Sequence, residues 1–133
     1  MRILLIVALF NLLTFSCMSP KPVYKYADGS ANLYTLQSST LEYSPVKKEE
    51  SSTGMYSGGE PKKVTITAAE YDTIRKILES SLNNTAIHIE DRIKTSGAIT
   101  EIDGNKTRSA IIKPGTKEIV EIEKALKTIL DNH

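Results

Sequence analysis

His88 is the internal residue best suited to metal binding or acid–base chemistry in this chain. On a strand it would share a face with Glu90, roughly 7 Å away along the backbone. A protein metal site brings three or four ligands together, and the sequence offers only these two. We therefore expect a solvated polar strand face and no metal site, and we expect the terminal His133 to be frayed.

The run Ser57-Gly58-Gly59 suggests either a serine nucleophile or a phosphate-binding turn. A phosphate-binding loop needs a Lys and a Ser or Thr at fixed spacing before a helix, but Glu60 follows here. A serine nucleophile needs a base, and His88 is the only candidate. A hydrolase is thus the weakest hypothesis, and we expect a chain that is not an enzyme and needs no cofactor.

The segment around these glycines is the best candidate for a binding loop. Its residues of interest are Met55, Tyr56, Ser57, Gly58 and Gly59. The first two form an apolar pair flanked by glycines, which suits contact with a partner if the backbone is mobile. An ordered loop packed over the core by its own side chains is equally compatible with the sequence.

The elements that must position these residues begin with strands at 23–27 and within 33–43, where β-branched and aromatic residues alternate roughly with polar ones. Five of the six tyrosines lie before the first predicted helix. An aromatic strand face can stack on sugars or partners, but we expect these tyrosines mainly to fill the core. Residues 44–63 are rich in Pro, Gly and Ser and predict a long loop.

The C-terminal half is more regular. A short strand at Val64–Ile66 precedes a helix over about Ala68–Leu82, which Thr67 begins as a capping box with Glu70. Alternating isoleucines predict a strand over Ile87–Ile93, and Asp-Gly at 103–104 predicts a hairpin. Thr116 precedes a second amphipathic helix. This order predicts an α+β fold: a small antiparallel sheet with two helices packed on one face, preceded by an N-terminal strand region and a long loop.

Charge and cysteine content narrow the function further. The chain has 17 Lys and Arg against 16 Asp and Glu, and this balance argues against a nucleic-acid partner, which usually requires a basic excess. It has one cysteine, so an intramolecular disulfide is impossible. The position of this lone cysteine therefore needs its own explanation.

The N-terminus supplies that explanation. Arg2 precedes an apolar stretch at 3–15 that is too short to span a bilayer, which is typical of a cleavable signal peptide. The run that follows, Leu13-Thr14-Phe15-Ser16-Cys17, resembles the lipobox of bacterial lipoprotein precursors. The resemblance implies that residues 1–16 are removed and that Cys17 is acylated, with palmitate among the attached chains. It covers only these seventeen residues, and we recognise no family for the mature domain.

Together with the predicted elements, this resemblance divides the chain into three segments: a signal peptide at 1–16, a lipidated tether at 17–22, and a single α+β domain at 23–133 containing the 44–63 loop. The expected partners are membrane lipid, through acylated Cys17, and an unknown protein or ligand. The expected location is the bacterial cell envelope. Residue 18, directly after the cysteine, is methionine and not aspartate. By analogy with lipoprotein sorting in enteric bacteria, this favours the outer membrane. A plain secreted or periplasmic protein is the alternative.

The leading functional hypothesis is therefore a small, non-enzymatic envelope lipoprotein that acts as a binding or structural module at a membrane surface. The alternative is an inhibitor or immunity-type protein of an exported hydrolase, in which the 44–63 loop would insert into the partner.

Overall fold

The structure is a computed structural model that describes residues 18–133. The predicted signal peptide at 1–16 and the predicted lipidation site Cys17 lie outside the described residues. The described part contains no helix that is both long enough and apolar enough to cross a membrane.

One seven-stranded antiparallel sheet and two helices make up the domain, which confirms the predicted α+β class and the single antiparallel sheet. Sheet outweighs helix more than we expected. The strands are β1 (Val23–Ala27), β2 (Leu33–Gln37), β3 (Thr40–Ser44), β4 (Lys62–Thr65), β5 (His88–Ile89), β6 (Gly97–Asp103) and β7 (Lys106–Ile112), and the helices are α1 (Ala68–Asn83) and α2 (Lys117–Asn132).

The sheet order is β4-β3-β2-β1-β6-β7-β5, so the N-terminal and C-terminal hairpins join through β1 and β6. Val23 pairs with Ile102, and Ala27 pairs with Ala98. The sheet therefore has two distinct ends. We call the end where the chain enters at Val23 the tether end, and the end where β1 leaves at Ala27 the loop end.

Both helices begin where the sequence predicts, but by different means. Thr67 accepts a hydrogen bond from the Glu70 backbone N–H at 3.1 Å, and the Thr67 N–H donates to the Glu70 carboxylate at 2.8 Å. This reciprocal pair satisfies two amides that α1 leaves free. Thr116 occupies the corresponding position before α2, yet its hydroxyl makes no capping bond. Among the described side chains, Thr116 Oγ1 is the buried polar atom without a hydrogen-bond partner.

A single hydrophobic core contains residues from the sheet and from both helices. The strand residues in it face one another across the sheet: Tyr24 opposite Leu36, Leu36 opposite Leu41, and Leu41 opposite Val64. Tyr24, Tyr26 and Tyr71 are each no more than 1% exposed. The expectation that the tyrosines mainly fill the core is correct for these three.

The predicted strand over Ile87–Ile93 is wrong. Residues 85–87 form a 3₁₀ turn, β5 contains two residues, and Ile93 is 56% exposed. The strand pairings explain why β5 is short. Both β5 and β6 are antiparallel to β7, so they run in the same direction, and both start at the loop end. The seven residues 90–96 must return the chain to the loop end, which leaves no length for a longer β5.

Candidate functional site

Four of the connecting segments at the loop end of the sheet are 28–32, 45–61, 90–96 and 113–116. Direct contacts join the first of them to the second and to the third. The Arg92 guanidinium donates to the Asp28 carbonyl at 2.6 Å. A Cβ atom added at Gly29 would lie 2.7 Å from the Thr95 Cα, so the first and third segments pack backbone against backbone. The loops therefore form one continuous surface.

Asn32 holds this surface together. Its side chain is buried, and the residue is 5% exposed. The Asn32 Oδ1 accepts from the Val46 N–H at 3.0 Å, while Nδ2 donates to the Asp28 carboxylate and to the Tyr56 hydroxyl, each at 2.9 Å. One amide thus joins the β1–β2 turn to both sides of the 45–61 segment. Buried polar groups that are fully paired in this way favour a single arrangement.

Gly58 fits directly beneath Asn32. Its N–H donates to the Val46 carbonyl at 3.0 Å, and its carbonyl accepts from the Tyr43 hydroxyl at 2.6 Å. A Cβ atom there would lie 2.0 Å from the Asn32 Oδ1, so glycine is required by space. The 45–61 segment is therefore attached to the sheet at its base. This agrees with the ordered, packed loop that was one of the two alternatives compatible with the sequence.

The tip of the same segment is built from local hydrogen bonds. Residues 48–50 form a 3₁₀ turn, in which the Glu50 carboxylate accepts from the Lys47 N–H at 3.2 Å. The Ser51 hydroxyl accepts from the Tyr56 N–H at 3.3 Å. Met55 projects from this tip and is 81% exposed, whereas Tyr56 is 39% exposed because its hydroxyl is bonded to Asn32. The predicted apolar pair is thus divided between a free methionine and a fixed tyrosine.

A row of tyrosines supports the sheet beneath these loops. Tyr26, Tyr34 and Tyr43 are direct neighbours on β1, β2 and β3, with ring centroids 6.1 and 4.9 Å apart. The Tyr26 hydroxyl donates to Glu123 of α2 at 2.9 Å. Burial, followed by the negative charge of Glu123, raises the pKa of Tyr26 above its usual value. The hydroxyl therefore remains protonated and keeps donating at neutral pH.

An open pocket of about 540 Å³ lies between the 28–32 turn, the 45–61 segment and Lys94. Ser30, Ser52 and Tyr56 are among its lining residues. Two residues other than glycine have left-handed backbone angles here: Ala31 lines the pocket with φ 67°, and Thr95 adjoins it with φ 66°. Such angles are rare for a β-branched residue. Strained backbone of this kind clusters at functional sites.

Ser57 and His88 do not meet. The Ser57 hydroxyl accepts from the Gly59 N–H at 3.3 Å, on the β3 side of the sheet. The His88 Nε2 donates to the Ser81 carbonyl at 2.9 Å, beside α1. β3 and β5 are five strand positions apart in the sheet order, which corresponds to roughly 24 Å. Glu90 lies beyond the end of β5, so the expected His88–Glu90 strand face is absent.

A second open groove, of about 520 Å³, lies between α1 and α2. Ile74, Ile77 and Ile129 are among its apolar lining residues. The His133 ring approaches Glu70 to 3.0 Å across the helix ends, so this terminal residue is held in place where we expected fraying. The pKa of Glu70 is lowered, chiefly because its carboxylate accepts from the Thr67 N–H and also from His133. Most of the exposed lining of this groove is apolar.

Within residues 18–133, no group of three or more His, Cys, Asp or Glu side chains is placed to hold a metal ion. The sequence singles out Met55 to Gly59 as a candidate binding loop but gives no sign of Asn32 or Lys94. Asp28-Gly29 is a dipeptide typical of turns, yet no pattern in the sequence indicates that an asparagine four residues after Asp28 is buried. No family model, curated protein or solved structure was found to match this chain.

Proposed function

We propose that this chain is a small exported lipoprotein, anchored through acylated Cys17, whose loop end serves as a non-enzymatic binding surface. The main support for the proposal is that the tether and the loops lie at opposite ends of the sheet. The tether enters the sheet at Val23, and the four connecting segments gather at the opposite end. A chain anchored at its N-terminus would present those loops away from the bilayer.

The tether has a defined point of attachment to the domain. The Tyr71 hydroxyl donates to the Pro22 carbonyl at 2.6 Å, and Lys21 lies 5.0 Å from the centroid of the Tyr71 ring. Residues 18–22 therefore span at most roughly 17 Å between the proposed lipid and the sheet. The strands add roughly 14–20 Å before the loops begin. These lengths support a domain held close to a membrane with its loop end outward.

We also propose that both helices pack on one face of the sheet. The support is the alternation of burial: Tyr24 and Tyr26 are buried, whereas Lys25 between them is exposed. On the side of Lys25, Thr100 and Ser109 pair through their hydroxyls at 3.0 Å. That side carries a central row of polar residues, which suits a solvated face.

The location that fits this proposal is the bacterial cell envelope. The outer membrane is favoured by Met18 following Cys17, and a secreted or periplasmic domain is the alternative. The support is the sequence of residues 1–18 alone. Burial of several acyl chains contributes about 0.8 kcal/mol per CH₂ group, so a multiply acylated terminus gives a stable anchor.

Metabolic labelling with a palmitate analogue tests the anchor. We expect wild-type protein to carry the label and to sediment with membranes, and we expect Cys17→Ala to lose both properties because the acylated sulfur is removed. Met18→Ala is the matched control and should be labelled like wild type. An unlabelled wild type, or a label that survives Cys17→Ala, would refute anchoring at this residue.

A second candidate function is inhibition of an exported hydrolase, and the 81% exposure of Met55 favours it. An apolar side chain projecting from a base that is tied to Asn32 resembles the anchor residues of binding interfaces. Deleting the segment would be a poor test, because it would also remove the partners of Asn32. A substitution at the tip is sharper.

We expect Met55→Glu to weaken hydrolase inhibition by about 30-fold if Met55 is such an anchor, since hot-spot truncation costs about 2 kcal/mol or more. The control is Val120→Glu on α2, which changes a residue that is 64% exposed and far along the chain from the loop. Inhibition is measured as the change in hydrolase activity of envelope extracts on titration with each variant. Equal potency of the two variants would exclude Met55 as the anchor.

A further inference from the structure

The pocket at the loop end contains polar groups without protein partners. Ser30 and Ser52 line it, and neither side-chain hydroxyl has a hydrogen-bond partner among residues 18–133. Other hydroxyls nearby are already used within the loop, as where Ser51 and Thr53 pair at 3.1 Å. The two free hydroxyls can therefore bond to a ligand without breaking existing contacts.

Tyr56 provides a fixed ring at the same pocket. Its hydroxyl is bonded to the buried Asn32, and its N–H is bonded to Ser51, so the ring does not need to be ordered when a ligand arrives. Preorganisation of this kind lowers the entropic cost of binding. An exposed aromatic ring beside free hydroxyls suits a hydroxylated ring that has one apolar face.

Lys94 supplies a charge that is not neutralised within the described chain. It lines the pocket, and it takes part in none of the ion pairs among residues 18–133. The only carboxylate in the lining is that of Glu50, which already accepts from the Lys47 N–H at 3.2 Å. That hydrogen bond leaves the negative charge of Glu50 in place, so the lining carries one anion and one cation, and an anionic ligand group would pair with Lys94.

Two other occupants fit less well. A peptide that added a strand would use the outer edge of β4, but that edge begins after Pro61 with two exposed lysines, which discourages pairing. A phosphate group is usually held by converging backbone amides at a helix start. The 3₁₀ turn at 48–50 has three residues and offers no such set.

We propose that this pocket binds a saccharide bearing a carboxylate, such as a uronic acid unit. The sugar face would stack on Tyr56, its hydroxyls would bond to Ser30 and Ser52, and its carboxylate would pair with Lys94. The pocket volume of about 540 Å³ lies within the range usual for small-molecule sites. This inference rests on the proposed function, because it names the ligand class of the outward-facing loop end.

Calorimetric titration of the full chain, purified in detergent micelles, tests the inference. The probe is digalacturonic acid, and the comparison ligand is its dimethyl ester, which keeps the hydroxyls and loses the charges. We expect Lys94→Gln to weaken binding of the acid about tenfold, the effect of one lost charge-assisted hydrogen bond. Binding of the ester should be unchanged by this variant, and Tyr56→Ala should weaken binding of both ligands.

Lys48→Gln is the matched control, because Lys48 is an exposed lysine of the same segment that lines a different pocket. It should leave both titrations as in wild type. The inference is overturned if wild type does not bind the acid at tens of millimolar, if acid and ester bind equally, or if Lys94→Gln acts no more strongly than Lys48→Gln. A chain that carries the palmitate label but does not bind the acid refutes this inference and leaves the anchor standing. A chain that binds the acid but carries no palmitate label refutes the anchor and leaves this inference standing.

Discussion

Exchanging Asn32 for aspartate should lower the free energy of unfolding by about 3–5 kcal/mol, because the change places a second, buried charge against the Asp28 carboxylate. The residue is 5% exposed, and its Nδ2 lies 2.9 Å from the Asp28 carboxylate. The substitution keeps the size and shape of the side chain. It replaces a donated hydrogen bond by two carboxylates in contact.

The loss should depend on pH. Where both carboxylates are ionised the repulsion is complete, so the deficit relative to wild type is largest near neutral pH. At acid pH one of them carries a proton and can donate to the other, so the deficit should shrink as pH falls. Urea denaturation of both proteins from pH 4 to pH 7 measures this difference. A deficit that is constant over that range would contradict the expected contact between Asn32 and Asp28.

A swap provides the control. Asp28→Asn combined with Asn32→Asp exchanges the amide and the carboxylate and restores one donor facing one acceptor. Neighbouring groups that share a contact give non-additive effects, so the double variant should be more stable than Asn32→Asp alone. If the two changes simply add, Asn32 and Asp28 are not in contact.

Gly58→Ala is the second substitution with a large expected effect. The added methyl would lie 2.0 Å from the Asn32 Oδ1 and 2.8 Å from the Pro45 Cβ, so either the loop moves or the asparagine does. Overpacking of this kind costs about 1–3 kcal/mol. Because Asn32 joins two segments, we also expect faster amide hydrogen exchange at Val46 and Tyr56, measured together with the thermal midpoint.

Ser57→Ala, one residue away, is the matched control. Ser57 is exposed, and its hydroxyl makes a single local bond, to the Gly59 N–H. A surface change of this kind normally stays within about 0.5 kcal/mol. Protection of Val46 and Tyr56 that is equally reduced in both variants would show that Gly58 has no special packing role.

These two positions bear on the proposed function because they decide the shape of the binding surface. Asn32 and Gly58 hold the base of the 45–61 segment against the sheet, while Met55 remains exposed at its tip. The pocket beside Tyr56 depends on the same contacts. Variants that loosen this base should therefore weaken both ligand binding and partner binding, whereas Met55→Glu should affect only the partner, because Met55 does not line the pocket.

Local patterns in the sequence were sufficient for several elements. The capping box at Thr67 and the spacing of Tyr71, Ile74 and Leu78 predict α1 nearly to the residue, because helix formation depends on neighbours three and four positions apart. The Asp103-Gly104 turn predicts the β6–β7 hairpin for the same reason. The lipobox-like run ending at Cys17 is also a local pattern, and the lipidation that it implies stays a prediction.

Contacts between distant parts of the chain decided the rest. Pairing of Val23 with Ile102 sets which end of the sheet holds the tether, and the parallel course of β5 and β6 limits β5 to two residues. The burial of Asn32 and the need for glycine at 58 arise where separate segments meet. No periodicity within one segment reports such meetings, because they depend on strand order. The sequence alone therefore indicated export, helices and hairpins, and only the tertiary structure decided that the loops form one surface opposite the tether.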